Sequence, residues 1–277
     1  PVEDAVHLHR FAYQNGYATG FVHPEDDLSR LKVYYIPHWV MWDHAWTPKL
    51  RAFVEAGGTV IVGAMTGTRD RNNHIIREQA PGAQLSELTG VKVEEFGRVV
   101  AAGGQGLFQR NAPDAGMYVP PQVLPSSSSE RSYKMQIGNR EATAEHLYET
   151  IEIADDVKVL GSWSDRSLSG KPMLTERKVG QGRAIYLATY LTPEVVELLA
   201  STVIAQSGAE PLVEDLPAGV EVSLRTADDR RLLFVINTTS ETRSFKALPA
   251  GQDLLTDAAV SGATELAGYG CLVIELS

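Results

Sequence analysis

Residues 2–15 (VEDAVHLHRFAYQN) place Val2, Val6, His9 and Tyr13 along one face of a helix, with Ala5, Leu8 and Ala12 beside them. Such spacing predicts an amphipathic helix, and Gly16 follows it as a C′ residue. The apolar runs then shorten. Residues 19–22 read as a strand, residues 24–27 as an acidic turn, and VYYIP at 33–37 as a strand buried on both faces. Thr47-Pro48 supplies an N-cap followed by a proline at the first helical position, where the missing N–H costs nothing. The helix that follows carries Leu50, Phe53 and Val54 and stops at Gly57-Gly58, before TVIVG at 59–63, a second buried strand. Helix, strand, strand, helix and strand at this spacing predict a parallel sheet with helices on both faces.

The stretch 64–145 is polar and irregular. Within it, 84–89 reads as a short helix, 92–95 and 99–102 as strands, and the proline- and serine-rich stretch 113–130 as a mobile surface loop. Strand patterning returns at 157–163. The runs 172–179 and 183–190, joined by Gly180-Gln181-Gly182, read as a hairpin. Thr192-Pro193-Glu194 then starts a helix carrying Val195, Val196, Leu199 and Val203. Beyond Pro211 the character changes. Short runs at 220–225, 232–236, 243–247 and 270–276 alternate with turn signals, including Pro249 to Gly251 and Gly262, as in a small antiparallel β-sandwich. The expected division is an α/β domain over 1–210 and a C-terminal sandwich over 215–277.

Composition narrows the function. Lys and Arg number 25 against 35 Asp and Glu, a net charge of −10 without basic runs, so neither nucleic acid nor an anionic membrane is an expected partner. No apolar run approaches the ~20 residues that span a bilayer. One cysteine, Cys271, excludes an intramolecular disulfide and a thiolate zinc cluster. It lies in the last apparent strand and reads as a small buried apolar residue.

Candidate chemistry is sparse. The strongest central strand is followed by Ala64, Met65 and Thr66, where a strand-to-helix elbow would carry a Ser or Cys nucleophile. His7 and His9 stand two apart on a helix, on different faces, while His38 and His44 flank a Trp-rich turn, and no metal site is expected. Gly103-Gly104-Gln105-Gly106 lacks the Lys-Ser/Thr of a phosphate loop and reads as a flexible turn. The acidic pairs Asp26-Asp27, Glu94-Glu95, Asp155-Asp156 and Asp228-Asp229 read as solvated turn residues, because two carboxyls adjacent in a strand point opposite ways. No catalytic residue, cofactor site or metal site is assigned. Trp39, Met41, Trp42 and Trp46, just past a buried strand, remain open between core packing over the sheet end, a subunit contact and a sugar-stacking surface.

The runs FVHPEDDLSRLKVYYIP, LRAFVEAGGTVIVGAMTGTRDRNN, ELTGVKVEEF and GKPMLTERKVGQGRAIYLATYL resemble the middle domain of glycoside hydrolase family 42 β-galactosidases. The final LLFVINTTSETRSF, DLLTD and GYGCLVIEL are similar to that family's C-terminal β-sandwich. What the resemblance implies is a middle domain of class I glutamine amidotransferase-like, flavodoxin-like α/β fold without its catalytic cysteine, serving trimerisation. It further implies that the two catalytic glutamates of the parent enzyme, which hydrolyses terminal β-D-galactosides with retention, belong to a (β/α)8 barrel. A barrel needs ~250 residues, so this chain is expected to be an inactive, self-associating portion in a cytoplasmic protein, with galactosides meeting only the barrel. Carbohydrate-binding and stand-alone amidotransferase-like proteins are the competing expectations.

Overall fold

The computed structural model describes residues 2–77, 79–99 and 133–277. In chain order the first elements are α1 (Val2–Gln14), β1 (Val33–Ile36), α2 (Thr47–Glu55), β2 (Thr59–Gly63) and α3 (Leu85–Thr89). Then come β3 (Val91–Val99), β4 (Tyr133–Ile137), β5 (Arg140–Ala144), β6 (His146–Ile153), β7 (Val157–Trp163), β8 (Pro172–Val179), β9 (Gly182–Leu187) and α4 (Pro193–Thr202). The chain ends with β10 (Val220–Ala227), β11 (Arg230–Asn237), β12 (Arg243–Asp253), β13 (Ala259–Leu266) and β14 (Cys271–Leu276). The loop expected over 113–130 and the glycines at 103–106 lie outside the described residues.

Two compact units emerge. One comprises Pro24–Ser207 with the first residues up to Asp4; the other comprises Ala5–His23 and Gly208–Ser277.

The first unit is built on a seven-stranded sheet of order β1-β2-β9-β8-β7-β4-β5. Every residue of β2 is buried, because β1 and β9 flank it in parallel register. Helix α2 makes the crossover from β1 to β2 and buries Leu50, Phe53 and Val54. The expectation of a parallel sheet holds only for β1, β2 and β9. The strands from β8 to β5 pair antiparallel, since Gly180 and Gln181 form a tight turn that can only return the chain beside itself. A separate antiparallel ribbon joins β3 to β6 with a register shift between Val93 and Glu95. Helix α4 starts as expected: Thr192 Oγ1 accepts from Val195 N at 3.2 Å, with Pro193 following.

Three further local expectations are corrected. Residues 19–22 form no strand; His9 instead contacts Thr19 Oγ1 at 3.1 Å and the ring of Phe21. Thr47 lies inside α2 behind Trp46 as N-cap, its hydroxyl donating to Ala83 O at 2.7 Å and accepting from Trp42 Nε1 at 3.0 Å. Cys271 is exposed: along β14, Leu272, Ile274 and Leu276 turn to the core, so the alternate position faces out.

The second unit carries one antiparallel sheet of order β10-β11-β14-β12-β13. Val220, Val222, Leu233, Val235, Phe245, Val260 and Ile274 form its core. Pro249 to Gly251 and Gly262, read as turns, lie instead within β12 and β13, where register shifts absorb them without ending the strands. Leu212 N donates to Gly16 O at 2.7 Å, tying the end of α1 to this unit.

A methyl group at Gly182 would collide with the carbonyl oxygens of Val54 and Gly58, where the β8–β9 hairpin crosses the end of α2. Gly182→Ala is therefore expected to destabilise the chain by about 1–3 kcal/mol through overpacking, whereas Gly20→Ala, with nothing in its way, changes little. Urea denaturation of both variants checks this, and equal midpoints would contradict it.

Candidate functional site

The carboxyl ends of parallel strands are where an α/β sheet positions functional groups. Here the turns leaving β1, β2 and β9 meet. His38 follows β1 with φ 42°, Met65 follows β2 with φ 63°, and Thr189 and Tyr190 follow β9. His38 Nδ1 lies 3.2 Å from Ala64 O, and its Nε2 lies 3.0 Å from the Tyr190 hydroxyl. Burial holds the His38 imidazole below its ordinary pKa, favouring the neutral ring. Beside them, Asp4 accepts from the Tyr35 hydroxyl at 3.2 Å through one carboxylate oxygen and from Leu191 N at 2.8 Å through the other. Burial, then the Asp4 charge, raises the Tyr35 phenol well above its usual value.

At the centre is a residue that periodicity did not single out. Glu149 is only 1% exposed. Strand β6 brings it to the end of β9: Glu149 N donates to Ala188 O at 2.9 Å, and Thr189 Oγ1 donates to Leu147 O at 2.7 Å. The Glu149 carboxyl accepts from Met65 N at 2.9 Å and from the Tyr186 hydroxyl at 2.7 Å. Trp163 Nε1 reaches the Glu149 carbonyl at 3.2 Å. The available signal was its phase, since Leu147, Glu149 and Ile151 occupy one buried face of a strand, leaving a carboxylate where an apolar residue belongs. Burial pushes this carboxyl up from 4.5 to about 7, against the lowering effect of its two hydrogen bonds.

Chemically the turn after β2 has the strained backbone of a nucleophile elbow, but its residue is Met65, whose thioether has no proton to give up. The residues around it hold one another: His38 through both ring nitrogens, Glu149 and Asp4 through both carboxylate oxygens.

The tryptophans singled out in the sequence do come together. The rings of Trp39, Trp42 and Trp46 lie 5.2–5.9 Å apart, two of the three pairs edge to face. Trp42 is buried, and Trp46 Nε1 donates to Glu25 Oε1 at 3.1 Å. Met41 is 47% exposed. His38 and His44 do not share a partner: His38 turns to Ala64 and Tyr190, while the exposed His44 lies beside Asp43. The segment is fastened to the turn after β2, with Thr66 Oγ1 accepting from Trp39 N at 3.2 Å, Gly67 N donating to Trp39 O at 3.0 Å, and Trp42 N donating to Arg69 O at 2.9 Å.

The Glu149 shift has a pH signature. A carboxyl whose folded pKa exceeds its unfolded value binds a proton that the unfolded chain releases, so its stabilising contribution is complete below about 4.5 and is lost as pH rises towards 7. Glu149→Gln keeps the shape and removes the titration. Stability measured by urea denaturation between these pH values is expected to lose a slope of up to about 1.4 kcal/mol per pH unit in the variant. Parallel pH profiles for the two proteins would contradict it.

Residues 2–108 and 120–210 match the family model of the β-galactosidase trimerisation domain, and residues 219–276 match that of the β-galactosidase C-terminal domain. A β-galactosidase from Arthrobacter sp. is 29% identical over 270 residues, covering 97% of this chain and 33% of its own length. The β-galactosidase BgaB from Geobacillus sp. (strain Y412MC61) is 28% identical over 238 residues, covering 86% of this chain and 30% of its own. The crystal structure of β-galactosidase from Bacillus circulans sp. alkalophilus has the same fold, with a TM-score of 0.80 at 22% identity over 100% of this chain and 37% of that chain. Gan42B, a GH42 β-galactosidase from G. stearothermophilus, gives 0.77 at 20% identity, covering 98% of this chain and 35% of its own. The chain thus spans about a third of the curated relatives it matches. It belongs to the β-galactosidase trimerisation-domain family, followed by the C-terminal domain of the same enzymes.

Proposed function

We propose that this chain is the non-catalytic, self-associating part of a β-galactosidase that hydrolyses terminal β-D-galactosides with retention, and that it forms a homotrimer. The observation that carries the reading is the match to both domain models in order, over a third of the length of relatives named β-galactosidase. The turn after β2 supports it, because Met65 stands where an elbow would need a nucleophile. The division near residues 210–215 is part of the proposal and is supported by the break between the two family models at 210 and 219. So is an amidotransferase-like ancestry of the first unit, supported by the β1-β2-β9 parallel core with its elbow-like turn, and a sandwich-like C-terminal domain. A cytoplasmic setting is included, consistent with an exposed, unpaired Cys271 thiol, which an oxidising compartment would threaten.

Among the sequence-selected residues, the packing favours a contact role over sugar stacking. The three indoles use their surfaces on one another, and a stacking platform needs a bare ring face. In this reading Trp39, Trp42 and Trp46 brace the segment and Met41 meets a neighbour.

Incubated with a chromogenic β-galactoside, the purified chain is expected to release no chromophore above background. Sedimentation at micromolar concentration is expected to give three times the 30.2 kDa chain mass. Hydrolysis at an ordinary glycosidase rate, after contaminating enzyme is excluded, would overturn the first part; a strict monomer would overturn the second.

A further inference from the structure

A cleft of about 420 Å³ opens on the first unit, lined by the end of α3, the paired strands β3 and β6, and Arg177 of β8. Its volume lies within the ~300–1,000 Å³ of small-molecule pockets, and it shares no residue with the His38–Glu149 site. Arg177 is fixed there from two sides, Nε donating to Asp156 Oδ2 at 2.9 Å and Nη1 to the Glu87 carbonyl. Its stem crosses Gly90, where a Cβ would come within 3.1 Å of Arg177 Cδ. The guanidinium is therefore held in place with Nη2 left without a partner among the described residues. Ser86 also lines the cleft and is only 9% exposed. Its carbonyl accepts from Gly90 N at 2.8 Å, whereas its hydroxyl has no hydrogen-bond partner among the described residues. A nearly buried hydroxyl left unpaired costs about 1–3 kcal/mol, so a polar group entering the cleft gains what the protein does not supply.

The charges of the lining decide what that group belongs to. Lys92 and Glu152 stand directly opposite each other in the β3–β6 ladder, on one face, so each offsets the other's field. Arg177 is offset by Asp156. An anion therefore meets no net positive charge, with Glu87 and Glu152 beside it, and a zwitterion meets no separated pair of poles. No group of three or more possible metal ligands gathers among the described residues. What the lining does offer is donors and acceptors in mixture: Arg177 Nη2 and the Lys92 ammonium donate, the Glu87 and Glu152 carboxylates accept, and the Ser86 hydroxyl does both. Val91 and Ile153 supply apolar surface between them. A molecule bearing only hydroxyls can meet all of these, because each hydroxyl donates and accepts and brings no charge to be desolvated.

We propose that this cleft binds a neutral polyhydroxylated molecule of monosaccharide size, held by Ser86, Arg177 and Glu152. The proposal is independent of the self-association above.

The test is saturation-transfer difference NMR on the whole chain, titrated with D-glucose and D-galactose and, separately, with glycine and inorganic phosphate. At least one sugar is expected to give a saturable signal, and glycine and phosphate none. Ser86→Ala removes a hydrogen bond to the ligand and none within the described protein, so it is expected to weaken sugar binding about fivefold with an unchanged urea midpoint. Glu152→Gln, at an exposed position, is expected to weaken it as well and decides the matter if Ser86→Ala misfolds. The absence of a saturable sugar signal would mean that water alone fills the cleft and would overturn the proposal. So would sugar binding of unchanged affinity in the folded variants, or saturation by glycine or phosphate in place of the sugars.

Discussion

The buried Glu149 carboxyl is the constraint on which the first unit is organised. A carboxyl taken out of water costs several kcal/mol unless its oxygens are satisfied. Glu149 meets this with a backbone N–H from the turn after β2 and a hydroxyl from β9, so three separate elements are fixed by one group. From Met65 the fixation passes on through Thr66, Gly67 and Arg69 to the tryptophan segment. The position of Met41 at the surface is therefore set by hydrogen bonds that begin in the core.

A place where loops converge at the ends of parallel strands usually presents groups to a ligand. Here the polar side chains present themselves to one another. Neutral His38 bridges a carbonyl and a phenol, Asp4 bridges a phenol and an amide, and Glu149 does the same. A site arranged for reaction leaves at least one acid, base or nucleophile facing the substrate. A site arranged to hold three loops together pairs such groups internally, as His38, Asp4 and Glu149 are paired here.

The sequence made legible those features that depend on neighbours in the chain. The apolar run of β2, the Thr192 cap and the Gly180-Gln181 hairpin each follow from local spacing or turn chemistry. Features decided by distant partners were hidden. Thr47 looks like a cap, yet its hydroxyl is claimed by Ala83 and Trp42. The strand at 59–63 reads correctly as buried and parallel, whereas that at 33–36 is parallel but, as the edge strand, buries only Tyr34 and Ile36 fully, and nothing in either shows that four antiparallel strands extend the sheet beyond β9. Ala259–Leu266 escaped notice because Gly262, with φ 68°, interrupts the alternation of β13 without ending its pairing. At the site, the indole cluster was visible from composition, and Glu149 was visible only to a reader who asks which charged residue sits in the apolar phase of a strand.

Met65 shows what holds such a turn in shape. A non-glycine residue at φ 63° costs of order 1 kcal/mol or more and survives only where its surroundings over-determine it. The side chain at this position is a thioether, so another group must offset the strain. The repayment is the Met65 N–H, which the strained turn aims at Glu149 Oε1. Relaxing the turn would withdraw that donor from a fully buried carboxyl and leave an acceptor unsatisfied, a cost of about 1–3 kcal/mol, at least equal to the strain released. The turn therefore keeps its shape for the sake of the core, and the core in turn keeps the Thr66–Arg69 segment against the tryptophans. A geometry suited to holding a nucleophile serves equally well to hold a surface in register, which is what association between copies requires.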